Sequence, residues 1–92
     1  MKSAYELAME RLEKQSPTVV LTDAQKAEIA EIESKARAQI AEREVTLGEK
    51  IAKAKAAGNY AEAAALEQEL AAEIRRINEE TEAKKEKVRN SR

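Results

Sequence analysis

Apolar residues recur along most of the chain at intervals of three and four, the spacing of one face of a helix. Tyr5, Ala8, Met9 and Leu12 share such a face. A longer pattern runs from residue 29 to residue 88. Ile29-Ala30-Glu31, Ile40-Ala41-Glu42 and Ile51-Ala52-Lys53 return every eleven residues, and Ala36 and Leu47 keep that interval beside them. Leu66, Ile77 and Val88 repeat it, as do Ala63 and Ile74. Eleven residues in three turns is about 3.67 per turn, slightly above the 3.6 of a straight helix. The long helices are therefore expected to run straight or with slight right-handed coiling.

Polar residues mark where these helices begin and end. Ser3 and Glu6 form a Ser-x-x-Glu capping box at the first start. Ser16 precedes Pro17, and a residue before proline disfavours helical geometry, so the first helix stops near Gln15. Val19, Val20 and Leu21 close a connector and are expected to tack it onto the core. Thr22 and Gln25 make a second box, with Asp23 in the first turn. Gly58 can end that helix in the left-handed conformation, and Asn59 with Glu62 can cap the next. Tyr60 is expected to pack at the closed end. The pattern predicts one all-α domain over residues 1–92: helix 3–15, connector 16–21, helix 23–57, turn 58–59 and helix 60–89. It is a short N-terminal helix followed by a long antiparallel helical hairpin, coiled-coil-like with eleven-residue periodicity.

Pairing within the hairpin can be tested on the sequence itself. With the turn centred on residues 58 and 59, opposed residue numbers total about 117. Ile51 then meets Leu66, Leu47 meets Leu70, Ile40 meets Ile77 and Ile29 meets Val88. Charge agrees: residues 22–34 carry −3 and face 84–92, which carry +4, while 35–57 carry +3 and face 60–83, which carry −5. Agreement between levels is the mark of a sequence that specifies one arrangement.

Composition narrows the chemistry. Ala, Glu, Lys, Leu and Arg supply 59 of the 92 residues, as long helices require. Histidine and cysteine are absent, which removes imidazole bases, thiolate nucleophiles, disulfides and Cys/His zinc sites. Two glycines cannot build a phosphate-cradling loop. The many carboxylates, such as Glu28, Glu31 and Glu33 or Glu79, Glu80 and Glu82, read as solvated helix faces. No catalytic, cofactor-binding or metal site is predicted, and the chain is not expected to be an enzyme. No apolar run is long enough for a membrane span or a secretory leader, so a cytoplasmic protein that does not bind membranes is expected.

Gly58-Asn59-Tyr60-Ala61-Glu62-Ala63-Ala64-Ala65-Leu66-Glu67-Gln68-Glu69-Leu70 resembles the UVR motif, the helical hairpin of the excision-repair proteins UvrB and UvrC. Tyr60, Ala63, Ala64, Leu66 and Leu70 match it, while Glu67-Gln68 stands where that motif has Arg-Asp. The same stretch is similar to the Gly-Asp/Asn-Tyr turn of tetratricopeptide repeats, without a 34-residue repeat. Residues 2–12 resemble the start of small bacterial helical proteins that have no assigned activity. These resemblances imply a helical hairpin and no mechanism.

Two functions follow as expectations. The first is a non-enzymatic structural or protein–protein interaction module, a self-associating hairpin, most simply a dimer, that also docks an unidentified protein. The contact residues would be Ala38, Ala41, Val45, Ala52, Ala64 and Ala71. Val45 is the most telling of these, lying about 140° around the helix from Ile40 and hence off the seam. The short first helix is expected to fold back on the open end, with Tyr5, Met9 and Leu12 meeting Ile29, Ile32 and Val88. The alternative is a small nucleic-acid- or ribosome-associated factor. It would contact phosphates through Lys84, Lys85, Lys87, Arg89 and Arg92.

Overall fold

The computed structural model describes residues 3–15 and 20–91, without the side chains of 12–15. It contains three helices, α1 (Ala4–Gln15), α2 (Asp23–Ala56) and α3 (Tyr60–Asn90), and no strand among the described residues. The two long helices pack against each other along their lengths as an antiparallel hairpin. Boundaries differ by one residue from those predicted at the start of α1, at the end of α2 and at the end of α3.

The ends form as local chemistry dictates. Ser3 Oγ accepts a hydrogen bond from the Glu6 amide at 3.2 Å. At α2 the box is complete: Thr22 Oγ1 accepts from the Gln25 amide at 3.1 Å, and Gln25 Oε1 accepts from the Thr22 amide at 2.9 Å. Gln25 does more than cap its own helix. Its Nε2 donates to the carbonyls of Val88 at 3.0 Å and Ser91 at 2.7 Å, tying the start of α2 to the end of α3.

The closed end is a Schellman turn. The Asn59 amide bonds the Ala54 carbonyl at 2.8 Å and the Gly58 amide bonds that of Lys55 at 3.0 Å. Gly58 holds φ at +78°, a conformation that glycine adopts without penalty. The expected Asn59 cap does not form. Asn59 is held in the turn at ψ 69°, far from the 162° at which Thr22 presents its side chain to its helix.

Ion pairs report the pairing. Arg43 meets Glu73, Glu33 meets Lys85 and, nearer the turn, Lys55 meets Glu67, so opposed numbers total 116, 118 and 122. Leu47 therefore opposes Leu70, Ile40 opposes Ile77, and Ala54 opposes Ala63. Buried residues are Ala36, Leu47, Ala54, Ala63, Ile77 and Val88. Half of these are alanine, so the core is a thin strip between two cylinders. Burying a larger side chain is worth about 1.5–3 kcal/mol, and the strip holds three of them.

Two expectations need correction. Among the described residues α1 does not pack on α2 or α3, and Tyr5, Leu7 and Met9 stay exposed. The physical reason lies at the open end, where Ile29, Ile32 and Val88 already face the seam. The flanks there carry Lys26, Glu28, Glu31, Lys84 and Lys87, with only small exposed alanines such as Ala24, Ala27, Ala30 and Ala83 between them, so no large apolar side chain is left for α1 to cover. The connector is likewise not tacked down at Val20, which is 85% exposed, although Leu21 is half-buried. Ser16 to Val19 lie outside the described residues. The resulting shape is long: the radius of gyration is 20.8 Å, against about 12 Å for a compact domain of this length.

Candidate functional site

Residues eleven apart share one line along each long helix. The seam leaves two broad sides and two outer edges. Ion pairs Glu33–Lys85 (3.2 Å) and Lys55–Glu67 (3.0 Å) cross one broad side. On that side Glu33, Glu44 and Lys55 form a line on α2. Four residues on, about 40° further from the seam, Arg37 and Gly48 form the next. Opposite them on α3 run Glu67 and Asn78, then Tyr60, Ala71 and Glu82.

The other broad side is crossed by Arg43–Glu73 at 3.6 Å. There Gln39, Glu42, Arg43, Arg76 and Glu80 surround a cleft of about 160 Å³ floored by Ile77. The two sides differ most in the half nearest the turn. One presents glycine, alanine and Tyr60 with few charges, and the other a lattice of Glu, Lys and Arg.

The six residues predicted for self-association are all exposed, but they do not form one patch. Val45 and Ala38 stand two residues from the seam positions Leu47 and Ala36, about 160° away. Both lie on the outer edge of α2, and Val45 is 63% exposed. Ala41 and Ala52 occupy the shoulder between that edge and Gly48. Ala64 and Ala71 lie on the flank of α3 beside Tyr60. Tyr60 itself is 69% exposed and does not plug the closed end, because it projects from the flank.

An open depression of about 570 Å³ follows the same flank, bordered by Ala71, Ile74, Arg75, Asn78, Glu79 and Glu82. Sequence reasoning missed this depression, Gly48 and the bridging role of Gln25. The eleven-residue step from Tyr60 to Ala71 was the available signal.

The basic cluster is dispersed. Lys85, with only 14% of its side chain exposed, is held by Glu82 at 3.0 Å and Glu33 at 3.2 Å. Hydrogen bonding to Glu82, then to Glu33, raises its pKa above the usual 10.5. Arg89 pairs with Glu86 at 3.3 Å on that side. Lys84 and Lys87 lie in line with Glu73 and Arg76 on the other side, and Arg92 is outside the described residues.

Among the described residues no acidic group is arranged to hold a metal ion, and no helix is long and apolar enough to cross a membrane. No family model, curated protein or solved structure matches this chain.

Proposed function

We propose that the chain is a non-enzymatic structural or interaction module of the cytoplasm, a helical hairpin that works by associating with itself. The supporting observation is the amount of surface the chain leaves wet. With the unpacked α1 included, the whole chain exposes 7429 Å². A compact monomer of 10.2 kDa exposes about 5,300 Å², so the excess is about 2,100 Å². A standard interface covers about 800 Å² on each partner. Two helices bury one seam, and a second layer of helices is the usual way to cover the rest.

Nucleic-acid binding has less support, because Lys85 and Arg89 are already matched by carboxylates and Lys84 and Lys87 face elsewhere. Sedimentation velocity from low to high micromolar concentration tests the proposal. A dimer is expected, with a melting temperature that rises with protein concentration. A monomer throughout that range would overturn it. RNA binding that weakens steeply with salt would favour the alternative.

A further inference from the structure

We propose that a second copy of this chain docks antiparallel on the broad side that carries Gly48. Tyr60 of each copy then sits in the other's Ala71–Ile74–Asn78 depression. This rests on self-association and assigns it a surface, an orientation and an axis.

The first observation is an exposed aromatic and a wide, shallow apolar stretch on one flank of one helix. Tyr60, the exposed aromatic, lies in line with Ala71 and Glu82, which border that stretch. The stretch centres near residue 76, sixteen residues on and about 24 Å away along a rigid helix. A chain cannot cover that stretch with its own Tyr60, but two chains related by a two-fold axis cover both. The axis must pass halfway between Tyr60 and the stretch, level with residue 68 of α3.

The second observation locates the same axis independently. In the hairpin pairing, residue 68 stands opposite residue 49 of α2, next to Gly48. Glycine is a poor helix former, yet Gly48 sits well inside a 34-residue helix. A β-carbon placed on it would meet nothing within 4 Å. Nothing within the described chain requires glycine there. Close approach of a second helix at the axis does, and Gly48 faces outward from the broad side in question.

The third observation is charge. Glu44 makes no ion pair or side-chain hydrogen bond among the described residues. A two-fold axis level with residue 49 carries residue 44 to the level of residue 54. Glu44 of one copy therefore comes beside Lys55 of the other, which already holds Glu67 of its own chain at 3.0 Å and would bridge the two carboxylates, twice per dimer. Arg75, on the rim of the apolar stretch, comes level with the Tyr60 ring of the second copy, where a guanidinium can lie against an aromatic face. The opposite broad side, lined with Glu62, Glu69, Glu73 and Glu80, has only the small cleft walled by Gln39, Glu42, Arg43, Arg76 and Glu80, and no exposed aromatic among the described residues.

The chain has no cysteine, so single-cysteine variants report geometry directly. Gly48→Cys should form a covalent dimer on mild oxidation, because its sulfur atoms meet across the axis. Thr46→Cys, on the opposite broad side, should not. Tyr60→Ala should raise the dimer dissociation constant about tenfold or more, as loss of a central aromatic anchor does. Glu44→Lys should weaken the dimer, and Glu44→Lys combined with Lys55→Glu and Glu67→Lys, which keeps a pair within each hairpin, should restore it. A dimer that survives Tyr60→Ala and leaves Gly48→Cys unlinked would overturn the inference. If Val45→Glu alone dissolved that dimer, self-association would stand and the interface would be the outer edge of α2. An unmodified protein that stays monomeric at high micromolar concentration would remove both proposals.

Discussion

Gln25→Glu keeps the shape of a side chain that holds both ends of the open hairpin, and it deletes a donor. Acceptance from the Thr22 amide survives, since a carboxylate oxygen replaces Oε1. The bonds from Nε2 to Val88 at 3.0 Å and Ser91 at 2.7 Å do not. Each bond is worth about 0.5–1.5 kcal/mol net. The Ser91 carbonyl is exposed and water replaces part of that loss, which puts the total near 1–2 kcal/mol. A negative charge in the first turn of α2 returns about 0.3–1 kcal/mol. The net effect is about 1 kcal/mol of destabilisation, or about 4–8 °C in melting temperature for a chain of this size.

The pH dependence provides a second readout. Facing two carbonyl oxygens, the new carboxyl should have a folded pKa above its unfolded value of about 4.3. A raised pKa favours the fold at low pH and disfavours it once the group ionises. The deficit should therefore be present at neutral pH and shrink toward about pH 4, where the protonated acid can donate again. Far-UV circular dichroism melts at one protein concentration measure both effects. Equal melting temperatures at neutral pH, or a deficit that does not narrow in acid, would refute the role given to Gln25.

Gly58→Val forces a β-branched residue to φ +78° and should cost at least about 1 kcal/mol in urea unfolding. A smaller loss would mean that the turn can rearrange. Deleting residues 1–15 should leave the melting temperature of the hairpin unchanged, because the described α1 packs on neither long helix. A clear drop, measured by calorimetry at matched concentration, would show that α1 shields the open end.

The hairpin was legible because three signals converge on it. Eleven-residue spacing gave the seam, Gly58 gave the turn, and the charge blocks gave the direction of pairing. Each acts locally or between residues fixed by symmetry about the turn. What could not be read depends on geometry that a linear pattern carries weakly. Asn59 has the composition of a cap, but the Schellman bond of its own amide sets its backbone first. Gln25 was visible as half of a capping box, whereas its reach to Val88 depends on where α3 ends. The alanines around Val45 appear as one stripe in the sequence, yet they divide between an edge and a shoulder once the seam is fixed. Tyr60 looked like a plug because it follows the turn; its azimuth, set by the seam line through Ala63, sends it sideways.

The eleven-residue step also makes the hairpin a ruler with fixed graduations. Excising residues 37–47 together with 70–80 would join Ala36 to Gly48 and Glu69 to Thr81. Gly48 would then take the line of Arg37, and Thr81 that of Leu70, with every remaining side chain on its original face. The arms would shorten by about 16.5 Å with no twist between the halves. Removing seven residues instead would turn one half by about 33° against the other. Insertions and deletions that preserve this architecture should therefore come in matched blocks of eleven, one in each arm, so that length varies while the faces stay aligned.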